Sequence, residues 1–555
     1  MSTERNLSCV GTGVLAGRAL LPHPGPLPLG EGESQSASGV AESSSDSNSG
    51  RTGSLSQRER AGVRENGSEH TTKSRTLVTR ISLCPGRLVP AATRRSFLQQ
   101  SSLGFGWLAF AGLFGRTAAS AIPHSTFRTP HFPPRAKHVI FLFMDGGVSH
   151  VDTFDPKPEL TKRNGQPAQW RADELSQSVS ANRKWLKNQW EFKQRGQSGL
   201  WVSDLLPHIA GVADELCVVR SMVGETPLHG AQSLLLHTGR SIGAAPSLGS
   251  WVSYGLGTEN EQLPSYMLLN NDWVPNGGSQ NFASSFLPAT HQATPVRAKG
   301  RPVDNITPAD PAALQRAKLD FLREQDSATA KSLGGSDAIE SAIKNYETAA
   351  RMQSLVPSLC DVSGESAETL RLYGVDRAND FDKFYALQCL RARRMVEAGV
   401  RFIEVTCPLT HNNNAPWDQH GELRKRHEEN ARITDQPVAA LIRDLKARGL
   451  LDETLILWAG EMGRTPHSSG TDGRDHHVSG YTIFMAGGGV RGGMTYGTTD
   501  EMGMSAVEHR VDIHDLHATI LHQLGMDHER LTFRFGGRDQ RLTDVHGRVI
   551  QEILT

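Results

Sequence analysis

The chain has 555 residues, 37% hydrophobic and 21% charged, with 59 basic and 59 acidic side chains and a formal net charge of zero. That is length enough for a large core, and the charge balance excludes the basic footprint of a nucleic-acid partner. Six cysteines without a CxxC pair exclude a thiolate zinc cluster and a disulfide-stapled small fold, leaving open one disulfide among Cys217, Cys360, Cys389 and Cys407.

In chain order, residues 1–92 are rich in Ser, Gly, Pro and Arg without an apolar period, which predicts disorder. Their wording reads as translated upstream sequence rather than a selected leader. Residues 93–121 predict a twin-arginine signal peptide. It comprises Thr93-Arg94-Arg95-Ser96-Phe97-Leu98, a short apolar run over 103–114, and the small-x-small cleavage site Ala119-Ser120-Ala121. The run is too short and glycine-rich for a stable membrane span. The expectation is export by the twin-arginine translocase to the periplasm or beyond, with residues 122–555 as a single domain.

An apolar strand over 137–144 ends at Asp145-Gly146-Gly147, a carboxylate presented by a glycine turn. The polar groups that follow, residues 149–156, read as mostly turn-forming. A helix over 205–213 and a strand over 216–219 come next. Residues 227–239 predict a helix begun by Pro227 and ended by Gly239, with His229 in its first turn, where free amides favour an anion. Strands over 266–269 and 401–405 bracket helices over 311–326, 336–355 and 380–398, and the polar stretch 271–308 reads as a surface excursion over the site.

Trp417-Asp418-Gln419-His420-Gly421 then sets an acid and an imidazole two apart, on one side only in an extended segment. A helix over 422–448, kinked at Pro437, precedes a strand over 454–459. That strand runs into Gly460-Glu461-Met462-Gly463-Arg464-Thr465-Pro466, and Gly473-Arg474-Asp475-His476-His477 runs into a strand over 481–486. A helix over 511–521 closes the chain. Apolar strands alternating with helices imply an α/β fold, a mostly parallel central sheet flanked by helices on both faces. Two further signals are set aside. Residues 487–492 fit GxGxxG but open no helix, and His514, His517 and His522 lack an HExxH arrangement.

Strand ends thus offer Asp145, Asp418 with His420, Glu461, and Asp475 with His476. Oxygen and imidazole donors without thiolate favour zinc or manganese, or calcium if the histidines stand outside the ligand shell. Arg464 and Arg474 are candidates for holding a substrate anion.

The phrases Phe143-Met144-Asp145-Gly146-Gly147, Trp417-Asp418-Gln419-His420-Gly421, Gly460-Glu461-Met462-Gly463-Arg464-Thr465-Pro466 and Gly473-Arg474-Asp475-His476 resemble the exported sulfatase-like family known as domain of unknown function 1501, within the alkaline phosphatase/sulfatase superfamily. The resemblance implies that Asp418, His420 and His476 bind one metal and Asp145 and Glu461 another, the two ions ~4 Å apart clamping an in-line displacement. The chain departs from that pattern where a nucleophile would stand, nine residues before Thr238. His229 is there, Ser233 takes the place of a sulfatase arginine, and Met462 rather than His follows Glu461. His229 is therefore read first as a ligand, with metal-activated water attacking, and otherwise as a nucleophile. The implied function is hydrolysis of phosphate or sulfate esters of a small molecule or glycan; the alternative is a catalytically silent metal- or glycan-binding protein.

Overall fold

The computed structural model describes residues 130–169, 182–271, 273–410, 415–470 and 472–555. The expected disordered segment 1–92 and signal peptide 93–121 lie outside the described residues.

Nine strands form the central sheet: β1 (His138–Phe143), β2 (Leu216–Val223), β3 (Tyr266–Asn270), β4 (Thr294–Arg297), β5 (Phe402–Thr406), β6 (Thr454–Ala459), β7 (Tyr481–Ala486), β8 (Met494–Tyr496) and β9 (Val511–Asp512). Their spatial order is β8-β2-β7-β6-β1-β5-β3-β4, with β9 beside β2. All run the same way except β7, which is antiparallel to both its neighbours. The central strands are buried residue by residue because successive side chains enter two different cores.

On one face, Ile140 and Leu142 of β1, Ile456 and Trp458 of β6 and Phe484 of β7 share a core with the long helices of the second half of the chain. On the other, Val139, Phe141, Leu457 and Ile483 pack with the helices that flank the first strands and close the chain. Each fully buried Leu, Ile or Phe contributes about 1.5–3 kcal/mol. The longer helices are α1 (His229–Thr238), α2 (Leu248–Leu256), α3 (Ala312–Ser332), α4 (Asp337–Cys360), α5 (Asp380–Glu397), α6 (Leu423–Ala447) and α7 (Ile513–Gln523). No helix among the described residues is long and apolar enough to cross a membrane. Cys217, Cys360, Cys389 and Cys407 are all free and buried, so no disulfide joins them.

Some local expectations are corrected. The helix expected over 205–213 is a single turn, Pro207–Ala210, followed by a separate 3-10 turn Ala213–Glu215, because Gly211 interrupts it. The stretch 271–308 contains an edge strand, β4, which Pro295 can join because an edge has one free side. The last helix starts two residues late. Val511–Asp512 pairs with β2, and Asp512 caps the helix through a reciprocal box with Asp515. Helix α6 continues as one element through Pro437.

Candidate metal centre

The direction of the strands brings the site together. β1 and β6 are adjacent and parallel in register, so the turns after Phe143 and Ala459 emerge at the same rim. β5, on the other side of β1, delivers its following loop there too. Because β7 is reversed, the residues before its start, His476 and His477, reach the same rim from the opposite direction.

Gly146 is the pivot. Its φ of +111° suits only glycine, and a Cβ there would stand 2.7 Å from the backbone nitrogens of both Trp417 and Asp418. The Asp145 carbonyl accepts from Trp417 N at 3.0 Å, which fixes the 417–420 segment against the β1 turn. Gly146 N in turn donates to both Glu461 carboxylate oxygens, each at 3.0 Å. A short antiparallel ladder sets Arg464 opposite His476, so their side chains lie on one face and both reach Asp418.

Three imidazoles surround Asp418 Oδ1. His420 Nε2 and His476 Nε2 each lie 3.1 Å from it, and His229 Nε2 lies 3.4 Å away. Each ring is held from behind through Nδ1. His229 donates to Glu461 Oε1 at 2.6 Å, His420 to Asp475 Oδ1 at 3.0 Å, and His476 to the Pro227 carbonyl at 2.7 Å. With Nδ1 protonated toward an acceptor, the neutral tautomer of every ring turns a lone pair inward. His420 Nε2 and His476 Nε2 are then 3.0 Å apart. Two lone pairs at that distance repel unless a proton or a cation stands between them. The donor atoms of His229, Asp418 and His476 all lie within 4.8 Å of one another, a set that fits a divalent ion of the zinc type.

The electrostatics follow from burial and pairing. Burial would raise the Asp418 pKa, but the Arg464 guanidinium and the three imidazoles drive it far below the carboxylate range. For His229 burial alone would lower the value, while hydrogen bonds to Asp418 and Glu461 raise it to about 9. Burial brings His476 down to about 4 against the pull of Asp418. Hydrogen bonds to Asp418 and Asp475 raise His420, whose side chain is 46% exposed and marks the open side of the cluster. Asp145 is fully buried and neither of its carboxylate oxygens has a normal hydrogen-bond partner. Burial and then the neighbouring Glu461 raise its pKa well above the usual range, with His229 and the Asn276 backbone pulling the other way. The early part of the 271–308 stretch thus does pass beside the site.

The predicted residues therefore converge, but not in one shell. Asp418, His420 and His476 meet directly, joined by His229. Glu461 and Asp475 stand behind His229 and His420, orienting their rings. The two arginines are corrected. Arg464 spends its N–H groups on the Gly146, Gly147 and Arg474 carbonyls and on Asp418 Oδ1 at 2.6 Å. Arg474 pairs with Asp152 (Nε to Oδ2 2.7 Å) and donates to the carbonyls of Thr465, Leu186 and Lys187. Both are fully buried, so they brace the site instead of reaching a substrate anion.

Sequence reasoning missed Asp152 and His427. Asp152 sits in a 3-10 turn (His150–Asp152) directly after the Asp145 turn and also accepts from Ser149 Oγ at 2.6 Å. His427 is fully buried edge-on against Trp417, with ring centroids 5.0 Å apart, and burial lowers its pKa to about 3. The proximity of Asp152 to the Asp-Gly-Gly turn was a usable signal; His427 on its helix had none.

No curated protein matches the chain. Among solved structures, the phosphonate monoester hydrolase SpPMH from Silicibacter pomeroyi aligns with TM-score 0.34 and 12% identity, over 75% of this chain and 76% of its own. The PsFucS1 sulfatase from Pseudoalteromonas sp. aligns with TM-score 0.30 and 13% identity over 74% and 72%. The alkaline phosphatase from the Antarctic bacterium TAB5 aligns with TM-score 0.28 and 7% identity over 70% and 98%. The model of the family described as "Protein of unknown function (DUF1501)" matches residues 136–554, and the chain belongs to that family.

Proposed function

We propose that the chain is an exported, metal-dependent hydrolase of phosphate or sulfate esters. The observation that carries this reading is the inward turn of three Nε2 atoms onto Asp418 Oδ1, each ring oriented from behind by its own acceptor. Such outer partners are what metal-binding imidazoles use to fix their tautomer. His229, Asp418, His420 and His476 would hold the ion, zinc or manganese by donor type. The orphaned oxygens of Asp145, beside Glu461, are where a second ion would find ligands. When bound, the metal supplies a Lewis acid for the ester oxygens and makes nearby water more acidic.

The chain's own residues do the rest. Arg464 fixes Asp418 by a hydrogen bond at 2.6 Å and is itself locked by three carbonyls. Glu461 fixes the His229 tautomer. His420, on the open side, is backed by Asp475 through Nδ1, which leaves its Nε2 for the ion. His229 is tied through Nδ1 to Glu461, which suits a ligand better than a free nucleophile.

The test is metal analysis of the purified protein together with p-nitrophenyl phosphate, bis-p-nitrophenyl phosphate and p-nitrophenyl sulfate. The expected result is bound metal and turnover of at least one ester, abolished by chelator and restored by zinc or manganese. Bound metal without turnover of any ester would replace this reading with a silent metal-binding protein, which the His at the nucleophile position favours.

A further inference from the structure

His229 and Gln232 stand three apart on α1, so their side chains leave the helix on one side. His229 belongs to the imidazole cluster. Gln232 does not, yet its side chain is fully buried. Its Oε1 accepts from the backbone N–H groups of Glu225 at 3.1 Å and Thr226 at 3.3 Å. A backbone N–H can only donate, so these two groups fix which end of the amide faces them. The other end, Nε2, lies against Gly224, where an added Cβ would overlap it.

The segment held in this way is the one that orients His476. Gly224 N donates to the Val478 carbonyl at 2.9 Å, Pro227 has no N–H, and Leu228 N turns back to Thr226 Oγ1 at 3.4 Å. The N–H groups between, those of Glu225 and Thr226, tie the loop to α1 through Gln232. The Pro227 carbonyl in turn accepts from His476 Nδ1 at 2.7 Å, and that bond leaves His476 Nε2 facing Asp418 Oδ1. The rings of His229 and His476 meet edge-on, with centroids 4.1 Å apart. One helix thus supplies the first of these imidazoles directly. It reaches the second through a loop that its own glutamine holds.

Glu461 and Asp475 orient His229 and His420 by direct contact. Behind His476 stands a main-chain oxygen instead, and its place is decided by whatever fixes the loop. We propose that Gln232 is a positioning residue of the metal centre: by holding the backbone at Glu225 and Thr226 it sets the Pro227 carbonyl, and through that carbonyl the tautomer and direction of His476. Its effect on metal affinity rests on the reading of the cluster as a metal site; its effect on the tautomer does not. A carbonyl can face Nδ1 only while Nδ1 carries the proton, so a displaced loop frees the ring to exchange tautomers. Loss of such an outer partner typically costs a metal-binding imidazole about 10–100-fold in affinity.

The experiment compares the full-length protein with Gln232→Met, Gln232→Glu and Gly224→Ala, first metal-free and then titrated with zinc. Methionine keeps the length and removes the acceptor, glutamate keeps oxygens for both N–H groups, and alanine displaces the amide from the loop side. Imidazole nitrogen NMR shifts of His476, assigned by their loss in His476→Gln, read the tautomer; competition with a chromogenic chelator reads zinc affinity. The expected result is the Nδ1–H form in the unaltered protein and in Gln232→Glu. Gln232→Met should show a mixture of tautomers and bind zinc about tenfold more weakly. A lowered melting temperature in Gln232→Met with tautomer and affinity unchanged would make Gln232 a purely structural residue and overturn the proposal. Loss of the Nδ1–H form in Gln232→Glu would overturn it too. Should Gln232→Met not fold, Gly224→Ala decides, and an unchanged His476 there refutes the role. An unaltered protein that binds no zinc would sink the metal-centre reading instead, and the tautomer would still decide the part played by Gln232.

Discussion

Glu461→Gln tests how the metal centre is organised. Glu461 is fully buried, and its Oε1 accepts from His229 Nδ1 at 2.6 Å while both oxygens accept from Gly146 N at 3.0 Å. Glutamine keeps the shape but replaces a charge-assisted bond with a neutral one. Bonds to charged groups are worth ~1.5–3 kcal/mol and neutral ones ~0.5–1.5, so the loss is about 1–2 kcal/mol, or roughly five- to thirtyfold in metal affinity. The new amide also turns an N–H toward Gly146 N–H, which adds to the loss. Competition of zinc against a chromogenic chelator at pH 7 measures it. The expectation is weaker binding with unchanged stoichiometry, since Glu461 acts on the ion through His229. A fall from two bound ions to one, with the remaining affinity untouched, would show Glu461 to be a ligand itself and refute this placement. An unchanged affinity would refute the orienting role.

Four further outcomes are expected. With His229 raised to about 9 in the metal-free protein, zinc must displace a proton at neutral pH, so its affinity should rise about tenfold per pH unit from pH 7 and level near 9. The same raised value means His229 stabilises the metal-free fold fully below about pH 6.5 and loses that contribution as pH rises through about 9, which melting curves against pH would show. Asp152→Ala leaves the fully buried Arg474 without its partner and should cost about 3–5 kcal/mol in urea unfolding; a loss below about 1 kcal/mol would contradict the bracing role. Finally, N-terminal sequencing of periplasmic protein should begin at Ile122, and changing Arg94 and Arg95 to lysine should retain the precursor in the cytoplasm; an intact Met1 in the periplasm would refute the export reading.

Much of the frame was readable from local pattern. Continuous apolar runs such as 137–144, 454–459 and 481–486 predict strands buried on both faces, and each holds one. Gly239 marks the end of a helix with His229 in its first turn, and its φ of +71° confirms the stop, but the helix begins at His229, two residues after the Pro227 expected to open it. The short pieces were harder. β4 contains a proline, and β9 is two residues long, so neither has a run long enough to show a period.

For the site, residue type and position after a strand were enough to name Asp145, Asp418, His420, Glu461, Asp475 and His476 as neighbours, because parallel strands deliver their ends to one rim. Their division of labour was not readable. Whether an acid faces the ion or stands behind an imidazole depends on where a third group sits, and Glu461 lies 232 positions from the His229 it orients. The arginines make the same point: charge favours an anion-binding reading, but Asp152 and six backbone carbonyls, brought close only by packing, take up their N–H groups. Composition and periodicity report what each segment needs locally; hydrogen-bond saturation in a buried cluster is a property of contacts between distant segments, and it appears only once the sheet has assembled.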